Sequence, residues 1–178
     1  MIDLLALSLL LSAPPQVGDA AAEFLLQTVG GEQVELSELT DGGPVVLVVL
    51  RGFPGYQCPL CTRQAGDFLG RADEFAAAKA TVVFVYPADA TLGVEGTRKK
   101  ATEFLHGTKL PDNVQLVLDP GYELTEGYGL RWNAPNETAY PSTFVIDADG
   151  VVRHAVVSES HGGRTNAADT LAVVKSLN

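Results

Sequence analysis

Val45-Val46-Leu47-Val48-Val49-Leu50-Arg51-Gly52-Phe53-Pro54-Gly55-Tyr56-Gln57-Cys58-Pro59-Leu60-Cys61 is the stretch that decides the fold. Its first six residues are apolar, mostly β-branched, and show no alternation. That pattern fits a strand buried on both faces, as in a parallel sheet. Gly52, Pro54 and Gly55 then break the strand into a turn. Pro59 suits the first turn of a helix, where its missing N–H costs nothing. A helix is therefore expected to open at Cys58 or Pro59, with Cys58 at its mouth. Unpaired N–H groups and the positive end of the helix dipole favour an anion there. Such a site lowers a thiol pKa from about 8.5 to roughly 3.5–7.5, and the thiolate is the reactive form. Cys61 follows one turn later on the same face, within reach of a modified Cys58. Cys58 is thus the expected nucleophile and Cys61 the expected resolving thiol.

Three blander readings compete. Two cysteines can fill core space, form a static bridge or make half of a zinc site. A tight turn at a helix mouth is not core. A bridge across a single turn closes too short a loop to add much stability. Zinc needs two further ligands, and His106, His154 and His161 show no ligand spacing among themselves. C-x-x-C beside a β-α-β pattern reads as a redox motif.

Outward from this centre the pattern continues. Residues 60–79 carry an apolar stripe through Phe68, Leu69, Ala72 and Phe75, which predicts one helix. Residues 81–86 form a second continuous apolar strand and close a β-α-β unit. Upstream, 24–28 and 33–36 flank Gly30-Gly31 as a hairpin, and Ser37-Glu38-Leu39 reads as one helical turn. Downstream, 97–105 reads as a short helix with a solvated face bearing Arg98-Lys99-Lys100. Residues 115–118 form a third core strand, and 123–128 a short helix. Residues 140–147 and 151–157 pair as strands around an Asp149-Gly150 turn. A closing helix over 167–177 has Asn166 as its cap. Trp132, in the loop 129–140, is expected to cap the core. Asn136-Glu137-Thr138 matches a glycosylation sequon, a match that recurs by chance. No internal repeat is present.

The strand, turn, Cys58-Pro59-Leu60-Cys61 and helix resemble the thioredoxin-fold superfamily. Arg51-Gly52, the cysteine pair, Gln64 and the lead-in Val17-Gly18-Asp19-Ala20-Ala21 resemble a peroxiredoxin-like member of the alkyl hydroperoxide reductase/thiol-specific antioxidant group. The resemblance implies an α/β thioredoxin-like fold, with a central mixed sheet flanked by helices and an N-terminal β-hairpin. It also implies a cysteine-based antioxidant activity. Cys58 attacks a hydroperoxide, becomes a sulfenic acid and condenses with Cys61. A thioredoxin-like reductant then reopens the disulfide. Pro141, ahead of Ser142-Thr143-Phe144-Val145-Ile146-Asp147, matches the proline that is cis beside the reactive cysteine in thioredoxin-like proteins.

This chain departs from the group's Pro-x-x-x-Thr-x-x-Cys pattern. Arg51 stands in the proline slot and Gly55 in the threonine slot. Pro141 stands where related enzymes carry an arginine. The peroxide-holding set is largely absent, and Arg51 is the candidate to replace its guanidinium. The supporting residues are therefore Arg51, Pro59 and Pro141. Two alternatives stand beside the peroxidase. One is thiol-disulfide exchange on protein disulfides by the same pair. The other is Cu(I) delivery by Cys58, Cys61 and His161, although copper-delivery proteins of this fold usually place three residues between their cysteines. Neither enzymatic reading calls for a cofactor or a metal.

With 178 residues and 46% hydrophobic content, the chain suits one domain with a sizeable core. Its net charge of −10, with no basic cluster, argues against nucleic acid as a partner. Two cysteines are too few for a disulfide scaffold. Residues 1–17 read as a signal or export segment with its linker, and 18–178 as the domain. The apolar run Leu4-Leu5-Ala6-Leu7-Ser8-Leu9-Leu10-Leu11 is too short to span a bilayer. It resembles a secretory signal core but lacks the basic residues before it. An exported, periplasmic location is the expectation from it, with the cytoplasm as the alternative.

Overall fold

The computed structural model describes residues 13–177. The apolar run from Leu4 to Leu11 lies outside the described residues. Strand β3 (Val45–Val49) is the spine, and all five of its residues are fully buried. Val46, Val48 and Leu50 face one core cluster, whereas Val45, Leu47 and Val49 face the other. A strand covered on both sides gains nothing from alternation, which is why none is seen.

Seven strands form one mixed sheet. They are β1 (Leu25–Thr28), β2 (Gln33–Glu35), β3, β4 (Thr81–Ala88), β5 (Val114–Pro120), β6 (Ser142–Ile146) and β7 (Val152–Val157), in the order β2-β1-β5-β4-β3-β6-β7. β3, β4 and β5 run parallel, while β6, β7 and the β1–β2 hairpin are antiparallel to their neighbours. The lead-in is tied to the far edge, where Ala20 bridges Val151.

The helices are α1 (Leu36–Asp41), α2 (Pro59–Leu69), α3 (Ala72–Ala77), α4 (Gly93–Leu105), α5 (Glu123–Gly127) and α6 (Ala167–Lys175). α2, α3, α4 and α6 cover the face of Val46, Val48 and Leu50. α1, α5 and the hairpin line the other. Asn166 does cap α6, its Oδ1 accepting the Asp169 N–H at 2.8 Å.

Four expectations are corrected. The helix expected over 60–79 is two helices, broken at Gly70-Arg71. Seven residues along an unbroken helix are about 10.5 Å apart. The break lets Phe68 and Phe75 stack with ring centroids at 5.7 Å instead. The helix expected from residue 97 starts at Gly93, after a 3-10 turn over Ala90–Leu92. Its basic run is not wholly solvated, because Arg98 donates to the carbonyls of Thr28 and Val29 and to Gln27 Oε1. Finally, Pro141 is not cis, since no cis peptide bond occurs among the described residues. The trans form is the ordinary state of an X–Pro bond. Here the flanking backbone is already extended and paired, with Tyr140 N–H on Leu130 O and Ser158 N–H on Pro141 O.

Candidate active site

The turn after β3 is set by one close approach. Leu50 N–H still pairs with Val85 O and Phe53 N–H with Pro87 O, so the chain hugs β4 past the strand's end. Gly52 makes this feasible. Its φ is +65°, and a Cβ there would lie 1.9 Å from Pro87 O. Gln57 then anchors the turn, accepting from the Tyr86 hydroxyl at 2.7 Å and donating to Lys100 O at 2.9 Å.

Cys58 is the N-cap of α2, with extended backbone, and exposed Pro59 takes the first helical position. The Cys58 sulfur accepts the Cys61 N–H at 3.4 Å. The Cys61 sulfur in turn accepts the Arg51 N–H at 3.3 Å. Both thiols are free and buried, Cys58 3% and Cys61 1% exposed, which corrects the expectation that this helix mouth lies outside the core: the end of β3 and α2 pack the pair into the cluster of Val46, Val48 and Leu50. The Cys58 thiol is pulled down to about 5, chiefly because the Cys61 thiol donates to its sulfur. Burial opposes this, while the amides of Cys61 and Leu60 and the charge of Arg164 assist. The Cys61 thiol is pushed up, first by burial, then by its bond to Cys58 and the negative charge beside it. One sulfur is poised as a thiolate and its neighbour is held as a thiol.

The cation at this pair is Arg164, a residue the sequence reading passed over. Its Nη2 lies 3.5 Å from Cys61 Sγ and 3.9 Å from Cys58 Sγ. Gln64 Oε1 on α2 accepts from its Nη1 at 2.8 Å, and His161 O accepts from its Nε at 3.0 Å. No local signal marks Arg164, which lies 106 residues from Cys58 between β7 and α6.

Arg51, the expected replacement, points its guanidinium elsewhere. Nε is paired with Glu137 Oε2, Nη1 donates to the Tyr56 hydroxyl and Nη2 to Asn136 O. Arg51 is buried and Glu137 largely covered, at 3% and 10% side-chain exposure. Thr138 closes the knot by donating its hydroxyl to Arg51 O. The second oxygen of Glu137 meets His161 Nε2 at 2.8 Å. The two hydrogen bonds lower the Glu137 carboxyl despite burial. The sequon residues thus turn out to be the clamp on Arg51.

Pro141 heads β6 one residue before Ser142, the register partner of Val49, and its carbonyl serves Ser158. Trp132 does not cap the core. It is half-buried, stacked on Tyr140 at 4.8 Å and tilted against His161 at 5.1 Å. His161, the expected third copper ligand, is engaged by Glu137, and no group of three or more His, Cys, Asp or Glu in metal-holding reach occurs among the described residues.

The sequence matches the family model described as AhpC/TSA family over residues 17–155. It is 29% identical over 148 residues to peroxiredoxin Bcp of Escherichia coli (strain K12), covering 79% of this chain and 85% of that one. To the chloroplastic peroxiredoxin Q of Oryza sativa subsp. japonica it is 28% identical over 160 residues, covering 90% and 67%. Among solved structures, peroxidoxin BcpB from Mycobacterium tuberculosis aligns with a TM-score of 0.70 and 26% identity, over 92% of this chain and 99% of that one. A peroxiredoxin-like protein from Aquifex aeolicus shares the fold, with a TM-score of 0.73 at 17% identity over 94% and 91%.

Proposed function

Because the chain belongs to the AhpC/TSA family and is a cysteine-based thiol peroxidase, we propose that Cys58 is its attacking sulfur and Cys61 the thiol that resolves it. The observation that carries this reading is the Cys58 sulfur at the mouth of α2, with the Cys61 thiol and amide both donating to it. The Cys58 thiolate attacks the outer oxygen of a hydroperoxide, and the O–O bond breaks. Cys58 becomes a sulfenic acid, and the leaving alkoxide or hydroxide takes up a proton. The Cys61 thiolate then attacks the sulfenic sulfur. An S–S bond forms, and hydroxide departs as water once protonated. A thioredoxin-like dithiol reopens the disulfide by exchange and is itself oxidised.

Burial of Cys58 favours a small oxidant over a protein disulfide, whose sulfur must approach the thiolate in line. Exchange with protein disulfides is the second reading, supported by the hydrogen bond from the Cys61 thiol to the Cys58 sulfur, which sets Cys61 to release a mixed disulfide formed on Cys58. Treating the reduced protein with hydrogen peroxide and trapping thiols for mass spectrometry separates the two. Fast oxidation that ends in a Cys58–Cys61 disulfide is expected, abolished in Cys58→Ser and halted at oxidised Cys58 in Cys61→Ser. Sluggish oxidation together with rapid reduction of a model disulfide would assign the pair to exchange instead.

A further inference from the structure

The peroxide step consumes the charge of Cys58, and the closing step needs a charge on Cys61. We infer that Arg164 is a catalytic counter-ion shared by both sulfurs, which serves the closing step by taking up the charge of Cys61 as Cys58 loses its own. The inference rests on the roles given above to the two cysteines.

Arg164 is placed for this without moving. A single nitrogen, Nη2, faces both sulfurs and stands nearer to Cys61 than to Cys58. The other two guanidinium nitrogens are held by Gln64 Oε1 and His161 O, which fix the plane of the group. Gln64 sits on the same helix as Cys61, so the cation and the resolving sulfur share one rigid support. Arg51 cannot substitute, because its guanidinium is committed to Glu137, Tyr56 and Asn136.

The electrostatic setting favours this order of events. Before oxidation, Cys61 stays protonated for three reasons: burial, its hydrogen bond to Cys58 and the negative charge of Cys58. Converting Cys58 to a neutral sulfenic acid removes the negative charge and weakens the hydrogen bond that depends on it. The forces that lower Cys61, the charge of Arg164 and the N–H of Arg51, persist. Burial still raises Cys61, but two of the three causes that hold it protonated are gone or weakened, so Cys61 gives up its proton more readily once its target exists and reacts as the thiolate. It attacks the Cys58 sulfur, the S–S bond forms, and the S–O bond breaks to release hydroxide, which is protonated to water.

Two measurements test the inference. In the first, rapid mixing of reduced protein with hydrogen peroxide is quenched with a sulfenic-acid trap and a thiol alkylator. Arg164→Gln should accumulate sulfenic acid on Cys58 and close the disulfide about tenfold more slowly, the change in thiolate fraction that one pKa unit makes. Arg164→Lys should recover part of the rate. Closure at the wild-type rate in Arg164→Gln, or no recovery with lysine, would overturn the inference. In the second, Cys61 is titrated by thiolate ultraviolet absorbance in Cys58→Ser, where residue 58 carries no charge. Adding Arg164→Gln should raise the Cys61 midpoint by about one unit, as loss of a neighbouring cation does. An unmoved midpoint would refute the shared counter-ion even if that variant closes slowly. A wild-type protein whose Cys58 does not react with peroxide would defeat the peroxidase reading, and the second measurement would still judge Arg164.

Discussion

At the scale of single residues, the fold sets two identical side chains apart, pulling Cys58 toward the thiolate and holding Cys61 as the thiol. Cys58 and Cys61 are both almost fully covered, yet one is pulled down and the other pushed up. Two causes separate them: burial weighs most on Cys61, and the hydrogen bond between the thiols is received by Cys58 and given by Cys61. The rate of Cys58 alkylation should therefore be nearly flat between about pH 6.5 and 8, and fall below that, through a midpoint near about 5 where acid protonates the thiolate. Iodoacetamide kinetics on the reduced protein, with Cys58→Ser as blank, measures it. A midpoint near the ordinary thiol value would contradict the geometry. Arg51 carries a different lesson. Its position at the end of β3 invites a role in the chemistry, but its partner Glu137 takes the guanidinium away. Only its backbone N–H reaches the site.

At the scale of elements, three pieces must meet: the end of β3, the start of α2 and the segment before α6. The first two are joined by a turn that tolerates very little. Gly52→Ala should destabilise the protein by roughly 2–4 kcal/mol, from left-handed strain plus a clash with the carbonyl of Pro87. Gly55→Ala is the matched control. It shares a positive φ, but nothing lies within 4 Å of the added Cβ, so strain of about 1–2 kcal/mol is its main cost. Urea midpoints for the two variants, compared at equal slope, decide the matter; equal losses would show that the approach to β4 is not tight. The third piece is fastened from outside the local chain. Glu137 links Arg51 to His161, and the His161 carbonyl holds Arg164. Trp132 packs beside the same histidine, so residues without any part in the chemistry position the cation.

At the scale of the whole molecule, the charge on Cys58 is a term in folding stability. Its thiol lies at about 5 when folded and near about 8.5 when unfolded. Between those values the unfolded chain holds the extra proton, so stability rises with pH. The contribution is complete above about 8.5 and is lost as pH falls through about 5. Cys61, pushed the other way, erodes stability once the unfolded thiol ionises above about 8.5. The melting temperature of the reduced protein should therefore gain on that of Cys58→Ser steadily from pH 5 to pH 8. Parallel curves for the two proteins would mean that the thiolate is not stabilised by the fold.

Much of this architecture was legible in residue order because it obeys local rules. An unalternating apolar run specifies a doubly covered strand, as β3 is. Gly30-Gly31 and Asp149-Gly150 each mark a hairpin, and both form. Gly/Pro breaks followed by Cys58-Pro59 specify a helix start, and the spacing to Cys61 places both sulfurs on one turn. The helix break at Gly70-Arg71 was hidden, because only packing reveals that Phe68 and Phe75 must stack. Amino-acid order alone determined the strand, the helix mouth and the paired thiols, since each depends on neighbours a few positions apart. Which guanidinium reaches those thiols was decided by tertiary structure. Arg164 and Arg51 are chemically the same, and only long-range contacts turn one toward the sulfurs and lock the other against a carboxylate.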